Sequence, residues 1–285
     1  VAVKRLLRDD SKAFNHESTI LRRLLKKPLF HSHLITLLAT FEQRGQRYLI
    51  FPWAEGDLEN YWKSMHSGKD EQLAIWLVRQ CQGITEALSH IHRYHTTSGT
   101  TMDYKSPDES SAVEPVSATQ QTHDLPNIRR PLTLFGRHGD IRPKNILWYH
   151  DPANIQDLGT LKLADFGCAR FRDTTRMPEE KRSSMAISWT YVSPECMIPD
   201  NIPSIQCDVW ALGCVFLEFI CWYHTGYNGL HTFDRQRIFE NASDNFFHIV
   251  RHGKPERSPH PYAAVKETVI EVSTRITVAI HHISD

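Results

Sequence analysis

From Gly136 to Asn145 the chain reads Gly-Arg-His-Gly-Asp-Ile-Arg-Pro-Lys-Asn, and a short apolar run, Ile146-Leu147-Trp148, follows at once. The stretch reads as a loop feeding a strand. A second acidic signal comes at Asp165, which closes the alternating run Leu161-Lys-Leu-Ala and opens Asp-Phe-Gly. An Asp and an Asn five apart in a loop, then a further Asp after the next hairpin, is a demanding layout. It suits a reaction in which one carboxylate orients an attacking hydroxyl while a carboxamide oxygen and a second carboxylate hold a divalent cation on phosphate groups.

The rest of the chain falls into segments with clear periodicities. Val1-Ala2-Val3-Lys4 alternates, with Ala2 and Lys4 on one strand face. Residues 11–27 form a helix pattern whose stripe is Phe14, Leu21, Leu24 and Leu25. Glu17 projects from that apolar face, and a carboxylate there needs a cation; Lys4 on the adjoining strand is the candidate. Apolar runs Leu34–Phe41 and Gln46–Phe51 flank a turn signal at Gln43-Arg-Gly and predict a hairpin. Residues 71–94 predict a core helix through Leu73, Trp76, Leu77, Gln80, Ile84, Ala87, Leu88 and Ile91. Periodicity then stops. Residues 95–130 are rich in Ser, Thr, Asp, Glu and Pro, too poor in apolar side chains to offset their ordering entropy, and read as a disordered insertion. Cys207 to Ile220 is apolar nearly all round and predicts a buried helix. His224–Gly229 and Glu240–Asp244 read as loops, and 262–282 as weakly helical.

These segments resemble the eukaryotic protein kinase superfamily. His138-Gly-Asp-Ile-Arg-Pro-Lys-Asn145 is similar to its catalytic loop, Asp165-Phe166-Gly167 to its magnesium motif, and Val1-Ala-Val-Lys4 to its Val-Ala-Ile-Lys strand. Ser188-Trp-Thr-Tyr-Val-Ser-Pro-Glu195 resembles the end of an activation segment, and Asp208-Val-Trp-Ala-Leu-Gly the buried Asp-x-Trp-x-x-Gly helix. The resemblance implies an α+β fold of two lobes: a partial antiparallel-sheet lobe over 1–53 and a larger helical lobe over 54–285. Within the latter, 223–285 matches poorly. It further implies ATP and Mg2+ as cofactors and a protein with a Ser or Thr acceptor as substrate. On it, Asp140 is the catalytic base, Arg142 steadies the transferring phosphoryl group, and Lys4, anchored by Glu17, meets the nucleotide phosphates. Asn145 and Asp165 are the metal ligands. Ala2, the gatekeeper Phe51, Pro52 and Ala54 line the adenine site. His138, Phe166, Gly167, Ser188, Glu195 and Asp208 take structural or regulatory parts, Asp208 by capping catalytic-loop amides. Arg142 with Ser188 favours Ser/Thr over Tyr acceptors.

Departures are informative too. No Gly-x-Gly-x-x-Gly occurs in the sequence, and Val1 opens inside a strand pattern, so the sequence reads as an N-terminally truncated fragment. That keeps open a pseudokinase or binding scaffold. Gly139 hints at small-molecule phosphotransferases of the aminoglycoside kinase type, which lack the Ser-Pro-Glu segment and the Asp-x-Trp-x-x-Gly helix. Gly139 also stands where many protein kinases have an Arg that pairs with an activation-segment phosphate. Arg170, Arg172 or Lys181 would substitute only at a higher entropic cost, each being on or beside the activation segment, so activity independent of phosphorylation at Thr174, Thr175, Ser183 or Ser184 is expected. No Asp-Pro-x-x-Arg appears, so the expected arginine partner of Glu195 is unassigned.

Composition narrows the classes. Lys plus Arg total 33 and Asp plus Glu 33 in 285 residues, so no global field favours nucleic acid or an anionic membrane. No apolar run approaches the roughly 18 residues of a membrane span. Six cysteines without paired spacing read as reduced thiols of an intracellular protein, cytoplasmic or nuclear. The dispersed histidines lack a Cys-x-x-Cys companion and do not suggest zinc. Nothing in the sequence sets an oligomeric state.

Overall fold

The computed structural model describes residues 1–6, 11–26, 29–68, 70–96, 132–150, 153, 157–173, 189–198, 204–250 and 261–281. The expected insertion from 97 to 130, and Thr174, Thr175, Lys181, Ser183, Ser184 and Ser188, lie outside these residues.

The N-terminal part consists of strand β1 (Ala2–Arg5), helix α1 (Ser11–Leu24) and strands β2 (Ala39–Gln43) and β3 (Gln46–Phe51). The strands form an antiparallel sheet in the order β1-β3-β2. Arg44 and Gly45 join β2 to β3 with φ of 53° and 71°, the pair of left-handed residues that a tight primed hairpin turn needs. Helix α1 buries Glu17, Ser18, Ile20, Leu21 and Leu24. The expected strand over Leu34–Phe41 starts only at Ala39. Leu34 instead makes a parallel bridge to Leu163, Ile35 N–H donates to Leu163 O at 2.9 Å, and Leu163 N–H donates to His33 O at 2.8 Å. The backbone of residues 33–35 thus ties the segment before the small sheet's hairpin to the strand that leads into Asp165.

The larger part follows as β4 (Gly56–Asp57), α2 (Leu58–Ser64), α3 (Glu71–His92), β5 (Tyr94–Thr96), β6 (Leu132–Arg137), β7 (Ile146–Tyr149), β8 (Thr160–Leu163), β9 (Arg170–Asp173), α4 (Pro194–Met197), α5 (Gln206–Asn241), β10 (Phe247–Val250), β11 (Tyr262–Val265) and α6 (Glu267–His281). Three small sheets run in the orders β4-β7-β8, β5-β6-β9 and β10-β11. Two boundaries differ from expectation. Residues 94–96 are a strand paired with 132–134, so the insertion does not begin at 95. Gly136 and Arg137 likewise belong to β6, paired with β9. The loop proper thus starts at His138.

Helix α3 carries the core stripe read from its sequence, from Leu73 to Ile91. Its buried Gln80 is explained by register: Gln80 Oε1 accepts from Leu161 N–H at 2.9 Å, which satisfies the β8 backbone. Gly83 lies on the same face, and a Cβ there would fall 2.1 Å from the His33 imidazole. With no side chain at 83, His33 can reach Leu161 O at 2.7 Å. Strand β8, and with it Asp165, is thereby held through both backbone polar groups of Leu161.

Helix α5 is the centre of the larger part, burying Leu212, Val215, Phe219 and Trp222. It runs through the loop expected at His224–Gly229. Gly226 alone departs from helical angles (φ 72°, ψ −178°). A glycine tolerates that kink, and Leu230 and Phe233 beyond it return to the core. By length and composition α5 is also apolar enough to cross a membrane, contrary to the expectation from the sequence, where Asp208 and Glu218 interrupt the apolar run. Half of its most apolar window is buried inside the protein.

Candidate active site

The site is assembled around Asp208 in the first turn of α5. This carboxylate is 2% exposed. It accepts from His138 N–H at 2.7 Å and Gly139 N–H at 2.8 Å, and lies 3.0 Å from His92 Nε2. Two adjacent loop amides and a histidine from α3 therefore converge on it. His92 is a site residue that sequence reasoning misses, since on α3 it looks like the polar end of a core helix. His138, fully buried, reaches Ala164 O through Nε2 at 3.0 Å and sets its ring 4.8 Å from that of Phe166. Burial holds the His138 imidazole below its ordinary range, against the pull of Asp208 and Asp140. At Gly139 φ is +84°, and a Cβ would lie 2.9 Å from Cys168 O. The loop and the segment after Phe166 are thus in backbone contact.

Asp140 follows. Its Oδ2 accepts from Asn145 Nδ2 at 2.8 Å, and the same nitrogen donates to Asp140 O at 2.8 Å. Arg142 Nε is 3.4 Å from Asp140 Oδ2. Asn145 O accepts from Ala164 N–H at 2.8 Å, which brings Asp165 alongside. Asp165 has φ of +61°, a left-handed conformation rare for a non-glycine residue. Its Oδ1 accepts weakly from Gly167 N–H, at 3.4 Å.

Lys4 of β1 closes the arrangement. Its Nζ donates to Glu17 Oε1 at 2.8 Å and Oε2 at 3.0 Å, and to Asp165 Oδ1 at 2.9 Å. An ammonium has three hydrogens, and these contacts use them all. Burial disfavours the Lys4 charge, but Glu17 and Asp165 outweigh it, and its pKa stands above the usual lysine range. Burial likewise raises the Glu17 carboxyl despite Lys4. For Asp165, Lys4 prevails over burial and the pKa is lowered.

Of the remaining expected residues, Ala2 pairs directly across β1 and β3 with Phe51. Phe51 is buried, and Pro52 and Ala54 are half-buried where the chain crosses to β4. Glu195 meets a thiol: Cys207 Sγ donates to Glu195 Oε1 at 3.4 Å. A buried arginine that the sequence does not single out, Arg237, pairs instead with Glu218 at 3.1 Å and Asp234 at 2.8 Å, its guanidinium 4.0 Å from the Phe246 ring centroid. Glu218 in turn accepts from Tyr191 OH at 2.8 Å, which anchors the segment before Ser193 to α5.

The donor set suits a hard divalent cation. The Asn145 amide nitrogen is already engaged, so its carbonyl oxygen remains as acceptor, and Asp165 adds a carboxylate. Both are the oxygen ligands that magnesium takes. Among the described residues no cluster of three or more His, Cys, Asp or Glu side chains is placed to hold a metal. A cation here would therefore need further ligands besides these two side chains.

Comparison with known proteins agrees with this geometry. Residues 136–277 match the protein kinase domain family, a span that runs past residue 222, where the resemblance in the sequence fades. Mouse serine/threonine-protein kinase Nek3 is 24% identical over 229 residues, covering 77% of this chain and 32% of that protein. Cyclin-dependent kinase 14 of Xenopus tropicalis is 24% identical over 238 residues, covering 83% of this chain and 41% of its own length. A serine/threonine-protein kinase of the yeast Yarrowia lipolytica is 35% identical over 114 residues, 38% of this chain and 13% of that protein. The chain thus spans well under half the length of these relatives. Together, the matched span and these similarities establish that the chain carries a eukaryotic protein kinase-like domain, with a small antiparallel sheet portion and a larger helical portion.

Proposed function

We propose that this chain is part of an ATP-dependent protein kinase that transfers the γ-phosphoryl group to Ser or Thr hydroxyls of protein substrates inside the cell. The observation that carries the reading is the joining of two halves of a site. Lys4 and Glu17 from the small sheet portion meet Asp165, and Asn145, whose backbone is bonded to the residue before Asp165, orients Asp140. In this reading Asp140 accepts the hydroxyl proton and Arg142 balances charge beside it. Asn145 and Asp165 would hold Mg2+, which supplies charge neutralisation on the phosphates when bound. Lys4 has no spare hydrogen, so contact with phosphate requires it to release Asp165, and Asp165 is then free for the cation. Ala2, Phe51, Pro52 and Ala54 would border the adenine. The Ser/Thr assignment is supported by Arg142 and by the Ser/Thr kinases among the relatives.

The test is transfer from γ-labelled ATP with Mg2+ by the full-length protein to mixed peptide acceptors, followed by phosphoamino-acid analysis. Label on Ser and Thr is expected. Asp140→Asn should lower turnover by a factor of roughly 10²–10⁴ while sparing nucleotide binding. Asp165→Asn should abolish magnesium-dependent transfer. Label confined to Tyr would overturn the acceptor class, and nucleotide binding without transfer would favour the scaffold reading.

A further inference from the structure

Cysteines in this chain fall into two groups. Cys81, Cys214 and Cys221 lie within or against the core and Cys168 is half-buried just after Phe166, and burial raises all four thiols above the ordinary range. Cys196 and Cys207 are different, because they face each other. Cys196 is on the short helix α4 and Cys207 in the first turn of α5, and their Sγ atoms are 3.5 Å apart. Ser193 Oγ is 3.3 Å from Cys196 Sγ, and Cys207 Sγ points its hydrogen at Glu195 Oε1. Cys196 is half-buried and borders a shallow depression that Asp140, Ile141 and Val192 also line, so a small molecule can approach its sulfur. Neither thiol has a part in the phosphoryl transfer proposed above.

We propose that Cys196 and Cys207 form a peroxide-reactive dithiol that closes to an intramolecular disulfide. A disulfide needs sulfurs about 2.0 Å apart, so the two atoms have roughly 1.5 Å to close. Cys196 is the attacking thiol. The single Cys207 S–H can turn from Glu195 to Cys196; in that orientation it and Ser193 stabilise the Cys196 thiolate against the cost of burial, and the contact pushes the Cys207 thiol up. The Cys196 thiolate attacks one oxygen of hydrogen peroxide, the O–O bond breaks, and hydroxide leaves with the electron pair, giving a sulfenic acid. Cys207 passes its proton to Glu195 and attacks the Cys196 sulfur, and the S–O bond breaks to release a second hydroxide. The two hydroxides take up the two thiol protons as water. Each sulfur loses one electron and the peroxide gains two. The bond would clamp α4 onto α5 next to Asp208, whose carboxylate holds the backbone of His138 and Gly139.

The experiment treats the folded full-length protein with hydrogen peroxide, alkylates the remaining thiols and maps the cysteines by mass spectrometry. A Cys196–Cys207 cross-linked peptide is expected, reversed by dithiothreitol, with Cys81, Cys168, Cys214 and Cys221 alkylated. In Cys207→Ser, dimedone should trap a sulfenic acid at Cys196, with labelling roughly tenfold above Cys81. In Cys196→Ser, Cys207 should remain alkylatable. Absence of the cross-link, formation at the same rate in the urea-unfolded chain, or dimedone labelling of Cys196 no greater than of Cys81 would each overturn the proposal. None of these readouts depends on phosphoryl transfer, so failure here is distinct from failure of the kinase reading.

Discussion

Replacing Asp208 by Asn changes no volume and removes one charge, which makes it a sharp probe of how the catalytic loop is held. The carboxylate serves two backbone amides, that of buried His138 at 2.7 Å and that of half-buried Gly139 at 2.8 Å, and the His92 ring at 3.0 Å. An Asn carboxamide offers one oxygen and one NH2. If the NH2 takes the place of Oδ2, it opposes His138 N–H, while His92 can adapt by accepting. If it takes the place of Oδ1, it opposes Gly139 N–H. Either orientation orphans one donor, at about 1–3 kcal/mol, and weakens the surviving bond by about 1 kcal/mol through loss of charge. The sum is about 2–4 kcal/mol, or a fall in Tm of roughly 5–15 °C for a chain of this size. Asp208→Ala orphans both amides and should cost more, about 4–5 kcal/mol.

Urea unfolding gives the total, and native-state hydrogen exchange at His138 and Gly139 gives the local part. Both amides should exchange faster in Asp208→Asn than global destabilisation alone explains. Asp70→Asn is the matched control: Asp70 caps α3 through a single exposed bond to Gln72 N–H at 3.1 Å, and Asn caps a helix equally well. That variant should stay within about 0.5 kcal/mol of the natural chain. If Asp208→Asn also stays within that margin and the two amides keep their protection, another acceptor holds the loop and the reasoning is refuted.

Two further outcomes follow from the buried charges. Lys4→Met leaves Glu17, 3% exposed, without its cation; because Lys4 itself is 36% exposed, the expected loss is discounted to about 1–3 kcal/mol. Adding Glu17→Gln should restore much of that loss, and additive unfolding energies in the double-mutant cycle would show that the pair is not coupled. Burial pushes the Glu218 carboxyl up to about 7 against the opposing Arg237. A raised folded pKa means that the folded state holds the proton more tightly. Its contribution is therefore full below the unfolded value near 4.5 and is lost as pH rises through about 7. Relative to Glu218→Gln, the natural chain should lose up to about 1.4 kcal/mol per pH unit between about pH 5 and 7. A rise in stability over that window in urea titrations would mean that the ion pair with Arg237 outweighs burial.

What the sequence made legible, and what it hid, has a physical pattern. Residues whose meaning depends on near neighbours could be read: the α3 stripe, the two-residue turn at Arg44-Gly45, and Glu17 on an apolar face one element away from Lys4. Boundaries failed where burial came from a remote partner. Leu34–Leu38 looks like strand because it is apolar, but the side chains of Leu34, Ile35 and Leu37 serve the core while the backbone of Leu34 and Ile35 is bound to Leu163 outside the small sheet. His224–Gly229 looks like a loop because of Gly226 and its polar neighbours, yet one kinked residue lets α5 continue to the next buried side chains. The same holds for chemistry. His92, Arg237 and Cys207 are ordinary in their local sequence. Each is defined by a partner that the fold delivers: Asp208 for His92, Glu218 for Arg237, and Cys196 for Cys207. An i,i+3 spacing did place Asp234 beside Arg237 on one helix face, a signal too common to single out. Long-range pairs of this kind are set by topology, and a search for functional residues in such a chain gains most from asking what each polar side chain on a core helix faces across the fold.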